Sequence, residues 1–393
     1  MNSWVTLRAT GKGEGVAGVG SGMSIPELDA VIDRAIADEV IAGTVVLVAR
    51  DGEVVHERAA GFADLAEQRP MRVDHLLRYA SLTKPITALT TMALVERGTL
   101  DLTSPVTRWL PSFRPRLADG TEPAITVDHL LTHTAGLTYG FGGATGEYAA
   151  LGISAGMDLT DLTLAEEVER IGRSTLLFPP GAAWAYSVAY DVLGGLAEAA
   201  TGSAFPDVVA ELVTGPLGMS RAAFAVTPTP DLATAYQDGR PPTPIRDGVP
   251  VPTPDGGPGL LLSPSRIFDA DQFPSGGGGM VGDAAGFLRL LEAVRTGGAG
   301  VLSPETVEGM LEPRVKRPVA PGVSGAFGRG WAVITPRETT PLTPGSVQWG
   351  GVYGNAWAID RERRVSVVQL TNTSLAGMAG PFPDAVLEAA LAG

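Results

Sequence analysis

Two serines in this chain stand where a nucleophile could stand. Ser81 opens the tetrad Ser81-Leu82-Thr83-Lys84, and Ser154 is the centre of Gly152-Ile153-Ser154-Ala155-Gly156. The second pattern is G-x-S-x-G. In α/β-hydrolases it puts the serine on a strand-to-helix elbow and takes its base from a histidine later in the chain. The four histidines here are His56, His75, His129 and His133, all upstream of Ser154. No clear strand precedes the segment either, so Ser154 is expected to be a loop serine. The S-x-x-K pattern passes the same test. Residues i and i+3 share a helix face about 5–6 Å apart at Cβ, so Lys84 reaches the Ser81 hydroxyl. A helix N-terminus adds free N–H groups and positive potential that favour a developing anion. A desolvated lysine can act as a base. Taken alone, the tetrad reads first as a capping serine beside a surface lysine, and partners are needed to raise the catalytic reading.

Two later segments supply partners. Tyr186-Ser187-Val188 follows the turn Pro179-Pro180-Gly181 and precedes a helix pattern. A phenol has a pKa near 10 and needs a neighbouring cation to act as a base, which Lys84 could provide. Gln348-Trp349-Gly350-Gly351-Val352 puts paired glycines in a strand pattern, a mark of close approach by a ligand or another backbone. His129 and His133 have i, i+4 spacing, but no third ligand and no His-Glu-x-x-His accompany them, so no metal site is expected.

The elements that must position these residues are readable in outline. Residues 1–23 form a Gly-rich, aperiodic stretch, expected to be a flexible tail. Ser24-Ile25-Pro26-Glu27 reads as a capping box opening a helix. Gly43–Arg50 and Glu53–Ala60 flank Asp51-Gly52, a hairpin signal. Helical spacing recurs over 81–97 (stripe Leu82, Ile86, Leu89, Ala93; stop Gly98), 162–172 and 188–201, the last stopped by Gly202. Residues 227–283 hold eleven prolines and many glycines. They read as an irregular excursion, either a lid or wall or a solvated insertion. Arg329–Thr335, Ser346–Gly350, Val352–Asp360 and Val365–Thr371 read as strands, the last two joined at Asp360–Arg363. A helix near Pro383–Leu391 follows. Strands at both ends with helices between predict one antiparallel sheet built from both ends around a helical insertion.

Composition narrows the function classes. With no cysteine among 393 residues, thiolate nucleophiles, disulfides and Cys-ligated metals are excluded. A net charge of −14 opposes nucleic-acid binding and adhesion to anionic membranes. No apolar run is long enough to span a bilayer, and residues 1–22 lack a signal-peptide layout, so a cytoplasmic location is expected.

Taken in order, Ser81-x-x-Lys84, Tyr186 and Trp349-Gly350-Gly351 resemble the serine β-lactamase and penicillin-binding-protein superfamily, and more closely its esterase branch, the family VIII carboxylesterases. The flanks agree: Tyr79-Ala80-Ser81-Leu82-Thr83-Lys84-Pro85, His129 to Leu137, and Gln348 to Gly354. The resemblance runs from about residue 24 to the end. It implies a β-lactamase/transpeptidase-like α/β (α+β) fold. The antiparallel sheet flanked by helices would take 24–90 and 309–393, with about 140–163. A mainly helical domain with long loops would take 91–139 and 164–308. It also implies Ser81 as nucleophile, Lys84 and Tyr186 as the general-base network, and the backbone N–H groups of Ser81 and Val352 as oxyanion hole. No cofactor and no metal are implied. The partner would be a small-molecule ester, and the chain a monomer or small homo-oligomer.

Two departures matter. Lactam and peptide hydrolases of the superfamily usually carry Tyr-x-Asn, and here the third residue is Val188. They carry Lys-Thr-Gly, and here Trp349-Gly350-Gly351 stands instead. An amide and a cation are replaced by an isopropyl group and an indole with one N–H donor. Both changes point to short-chain neutral esters, with little β-lactamase activity and deacetylation of cephalosporin esters as a side reaction. Tyr139, Phe141, Trp184 and Trp357 are candidates for shaping the pocket, with Trp349, Gly350 and Gly351. The alternatives are an amide or β-lactam hydrolase or peptidase, an acyltransferase, and a silent ligand-binding relative.

Overall fold

In the computed structural model, which describes residues 25–140, 146–254, 256–320 and 323–393, the β-branched run Gly43–Arg50 forms strand β1, buried everywhere but Arg50. Asp51 and Gly52, both at positive φ (53° and 89°), turn the chain into β2 (Glu53–Asp64), which gives the expected hairpin. Strand β3 (Arg69–Pro70) closes that edge. The other strands are β4 (Val315–Ala320), β5 (Val323–Phe327), β6 (Ala332–Val333), β7 (Val347–Gly351), β8 (Asn355–Asp360) and β9 (Val365–Thr371). Together they make one nine-stranded antiparallel sheet in the order β4-β5-β6-β7-β8-β9-β1-β2-β3. β1 pairs with β9 from Thr44↔Thr371 to Arg50↔Val365, so one sheet does arise from both ends of the chain.

The main helices are α1 (Pro26–Ala37), α2 (Thr83–Glu96), α3 (Leu164–Ile171), α4 (Ala189–Thr201), α5 (Ala284–Arg295) and α6 (Pro381–Ala392). Leu28 and Ile32 of α1 and Phe382 and Val386 of α6 pack on Val46, Val48, Val365 and Val367. Val45, Leu47, Val368 and Leu370 point to the other face, where Phe287, Leu290 and Leu291 of α5 lie in the same cluster. Alternate residues thus meet different layers, which is why β1 reads as apolar throughout. Each such buried aliphatic side chain contributes about 1.5–3 kcal/mol. The second cluster continues without a break into α2, α3 and α4 through Ile86, Leu89, Val168 and Leu193.

The structure differs from the sequence expectations in several places. The segment 329–335 is strand only at Ala332–Val333. β8 begins at Asn355, because 352–354 is a turn with Gly354 at φ 114°. β4 and β5 carry no alternation that announces them, and β4 tolerates Pro318 because it is an edge strand. Helices α5 and Pro304–Leu311 were not anticipated. α2 is not amphipathic: Thr83 to Leu94 are all buried. Its Thr90 and Thr91 hydroxyls donate to carbonyls four residues back, and Thr87 donates to Gly276 O, which lets polar side chains lie inside. Helices 162–172 and 188–201 appear as α3 and α4, with Gly202 left-handed at φ 74°. Among the described residues, 227–283 is irregular as expected, with two-residue strands and one 3₁₀ stretch. The tail 1–23 and the Ser24 cap lie outside the described residues.

The β8–β9 turn illustrates how the sheet is pinned. Asp360 is buried and accepts from the Arg363 N–H (2.9 Å), the Thr343 hydroxyl (2.7 Å), the Thr343 N–H (3.0 Å) and the Arg363 guanidinium (2.8 Å). Burial works to raise its pKa, but these donors outweigh burial and hold the carboxyl below the ordinary aspartate value. Asp360→Ala should cost about 2–3 kcal/mol at neutral pH, since it strands buried donors. The carboxylate's stabilisation is complete above the unfolded-state pKa of about 4 and is lost as pH falls through the depressed folded-state value. Denaturant melts over a descending pH series should therefore show the gap between wild type and variant shrinking in acid.

Candidate active site

Ser81 is the middle residue of one 3₁₀ turn, Ala80–Leu82, that runs directly into α2. Ala80 has φ 46°, a left-handed conformation that costs an L-residue on the order of 1–2 kcal/mol. The surroundings hold it there. The Tyr79 N–H donates to Met280 O (2.8 Å) and the Tyr79 hydroxyl to Asp283 O (2.7 Å). Asn355 of β8 donates its amide to Arg78 O (2.8 Å) and Tyr79 O (3.3 Å). β7 passes so close that a Cβ on Gly351 would collide with Tyr79 O. The second glycine of Trp349-Gly350-Gly351 is therefore a close-approach glycine.

Lys84 and Tyr186 converge on Ser81. Lys84 Nζ donates to Ser81 Oγ (3.2 Å) and to Gly277 O (2.6 Å), and the Tyr186 hydroxyl lies 2.8 Å from Ser81 Oγ. Ser81 and Lys84 are buried, at 5% and 3% exposure. The ammonium also sits 4.7 Å from the Tyr186 ring centroid, 5.3 Å from that of Tyr139 and 5.9 Å from that of Tyr190, a cation–π enclosure. Burial pushes the Tyr139 and Tyr190 phenols well above 10, so both stay protonated. The Ser81 and Val352 N–H groups are bonded to no other group among the described residues.

Trp349 joins the group through Tyr186. Its indole N–H donates to the Tyr186 hydroxyl (3.4 Å), and its ring packs 5.3 Å from the Tyr186 ring. Arg317 lies 5.5 Å over the Trp349 ring and pairs with Glu338 at 3.3 Å, so that cation already has its carboxylate. Val188 is fully buried in the core. Tyr139 packs 5.2 Å from Tyr186. Trp184 stands in the next layer, 6.3 Å from Tyr186 and 6.1 Å from His133. Trp357 is buried against Trp331 and Phe287 and stands opposite Trp349 in the β7–β8 register. Phe141 lies outside the described residues.

The two paired histidines part company. His129 Nδ1 accepts from the Thr126 N–H in a capping box. His133, at φ 55°, is packed among Tyr186, Tyr190, Trp184 and Phe327 and meets Ser187 Oγ at 3.1 Å. Burial, and then the Lys84 charge, push its pKa well below 6.5, which keeps it neutral. Among the described residues no cluster of His, Asp or Glu could hold a metal ion. Ser154 lies elsewhere in hydrogen-bonding terms, its Oγ donating to Asp158 (2.6 Å) and its N–H to Glu167.

Sequence reasoning missed Gly277, Asp191 and Asn355. The signals were present: four consecutive glycines at 276–279, an acid on the apolar stretch of α4, and an amide opening a buried strand.

A family model described as Beta-lactamase matches residues 28–390. The chain belongs to the beta-lactamase family. Within it, the chain is 46% identical over 376 residues to Esterase EstB of Burkholderia gladioli, covering 93% of this chain and 94% of that protein. Its fold superposes on EstCE1, described as a hydrolase with promiscuous acyltransferase activity, with a TM-score of 0.89 at 41% identity, covering 93% and 98% of the two chains. It is also 25% identical over 384 residues to Acyltransferase calJ of Penicillium decumbens, covering 87% and 88%. The fold is β-lactamase/penicillin-binding-protein-like, and the family VIII resemblance stands.

The contact at Gly351 yields a test. Gly351→Val should push β7 away from the Ser81 turn, and a misplacement of about 1 Å can cost roughly 10²-fold in rate. Ester turnover should fall by about that factor in a variant whose circular dichroism remains native. An unchanged rate would mean that this approach does not matter to the site.

Proposed function

We propose that the chain is a serine carboxylesterase that hydrolyses short-chain neutral esters through an acyl-enzyme on Ser81. It is a carboxylic ester hydrolase of the β-lactamase superfamily, in line with its likeness to EstB and EstCE1. The observation that carries the mechanism is the convergence of Lys84 Nζ and the Tyr186 hydroxyl on one buried serine oxygen. Ser81 Oγ attacks the ester carbonyl carbon while its proton passes to whichever of Lys84 Nζ and the Tyr186 oxygen has given up its own, the pair holding one proton fewer than an ammonium plus a phenol. The two groups share one hydroxyl and act as a coupled unit. The carbonyl oxygen gains negative charge, which the free N–H groups of Ser81 and Val352 would receive. Collapse expels the alcohol, which takes the proton back, and water then repeats the sequence on the acyl-enzyme.

The surroundings support an ester rather than an anionic lactam or peptide. The Val188 side chain lies in the core and offers no amide. Trp349 brings no charge, and Arg317 behind it is matched by Glu338. Deacetylation of cephalosporin esters fits the same chemistry. A cytoplasmic monomer or small homo-oligomer completes the reading. Among the described residues no helix is long and apolar enough to cross a membrane.

Ser81→Ala should abolish hydrolysis of p-nitrophenyl acetate, with Ser154→Ala close to wild type. The reverse pattern would overturn the assignment. The wild-type protein should prefer p-nitrophenyl acetate over nitrocefin by on the order of 10²-fold in kcat/KM. A preference for nitrocefin would move the chain to the lactam hydrolases. Acyl transfer is a second reading, favoured by the description of EstCE1 and by the calJ relative. It differs only in which nucleophile meets the acyl-enzyme, so an added short alcohol should yield a new ester at the expense of acid.

A further inference from the structure

The ester chemistry leaves a set of buried acids unused. Asp191 and Glu167 are both fully buried, and Asp158 is half-buried beside them. The G-x-S-x-G segment threads between them. Glu167 accepts from the Ser154 N–H (3.1 and 3.2 Å), and Asp158 accepts from Ser154 Oγ (2.6 Å). Burial, and then the neighbouring Asp191 and Asp158 carboxyls, push Glu167 up to about 8. Gly156, the last residue of the motif, has no room for a side chain, since a Cβ there would collide with Ser275 Oγ.

Ser275 begins the run Ser275-Gly276-Gly277-Gly278-Gly279. Its hydroxyl donates to Asp191 Oδ1 (2.6 Å), and the Gly277 N–H donates to the same oxygen (3.1 Å). The Gly277 carbonyl then accepts from Lys84 Nζ at 2.6 Å. Four successive glycines carry the largest backbone freedom a chain can have, so this segment does not hold a shape by itself. It is held from outside. Thr87 of α2 donates to Gly276 O (2.8 Å), and a Cβ on Gly276 would collide with Tyr190 O. Asp191 supplies the bonds nearest the carbonyl that meets Lys84. Asp191 Oδ2 has no partner of its own.

We propose that Asp191 is a positioning residue for Lys84: its carboxyl clamps the Ser275–Gly279 segment so that the Gly277 carbonyl holds the ammonium at Ser81. The proposal rests on the role given above to Lys84. The G-x-S-x-G segment becomes the outer brace of this clamp, with Gly156 making room for Ser275.

The experiment compares Asp191→Ala, Asp191→Asn and Lys84→Ala in the full chain on p-nitrophenyl butyrate, with thermal melts to confirm folding. Asp191→Asn keeps a carbonyl oxygen where Oδ1 stands and an isosteric NH₂ where Oδ2 has no partner. It should stay within about threefold of wild type. Asp191→Ala should lower kcat by roughly 30-fold or more with KM within about twofold, because the loss is one of orientation rather than binding. A folded Asp191→Ala with native kcat, or an Asp191→Asn as slow as it, overturns the proposal. Should Asp191→Ala fail to fold, Ser275→Ala decides. It removes one of the two bonds, so a kcat reduced about three- to tenfold at unchanged KM supports the clamp, and an unchanged kcat overturns it. Lys84→Ala separates the two layers: if it turns over like wild type, the role of Lys84 itself fails, whatever the Asp191 variants do.

Discussion

An ammonium ion sealed in the interior is the constraint around which the site is built. Removing a cation from water costs several kcal/mol even after relaxation, and the protein must replace the lost hydration atom by atom. Lys84 finds one backbone carbonyl, one hydroxyl and the faces of three phenol rings. Each replacement imposes a condition elsewhere. The carbonyl requires a glycine run packed where no side chain fits. The rings require an aromatic shell, and the charge helps hold His133 neutral within it. A second cation in the same space would meet repulsion with no hydration to screen it.

The order Ser81-x-x-Lys84, Tyr186, Trp349-Gly350-Gly351 was legible because each motif is local and each residue type has a narrow chemical use. The hairpin at Asp51-Gly52 and the stop at Gly202 were legible for the same reason: a left-handed backbone selects its residues. What could not be read depended on distant partners. Nothing within a few residues of Gly277 says that its carbonyl will face Lys84, 193 positions away. Asp191 looks like an ordinary acid until the helix around it proves buried. β4 escaped notice because an edge strand needs no apolar alternation, and β5 beside it carries none either. The stripe Leu82, Ile86, Leu89, Ala93 announces one buried face of α2, but Thr90 and Thr91 satisfy their hydroxyls within the helix and the other face is buried too.

The indole of Trp349 shows how one substitution can change a site without leaving a hole. It withdraws a charge, fills the space with a ring on Tyr186, and spends its N–H on the phenol that meets Ser81. Indole and phenol therefore share a hydrogen bond, and a change in one is felt in the other.

The seam between β1 and β9 has a consequence for how the protein comes into being. The Ala42 N–H donates to Thr373 Oγ1 across 331 positions of sequence. At about 5–20 residues per second, a ribosome needs roughly 15–65 s to make the chain between such points. Through that interval the hairpin of β1 and β2 has been synthesised without its central neighbour. It presents the run Thr44-Val45-Val46-Leu47-Val48 on an open edge, the kind of strand that pairs with other chains when left uncovered. A sheet closed by its first and last segments makes nascent-chain protection during translation part of what this sequence requires.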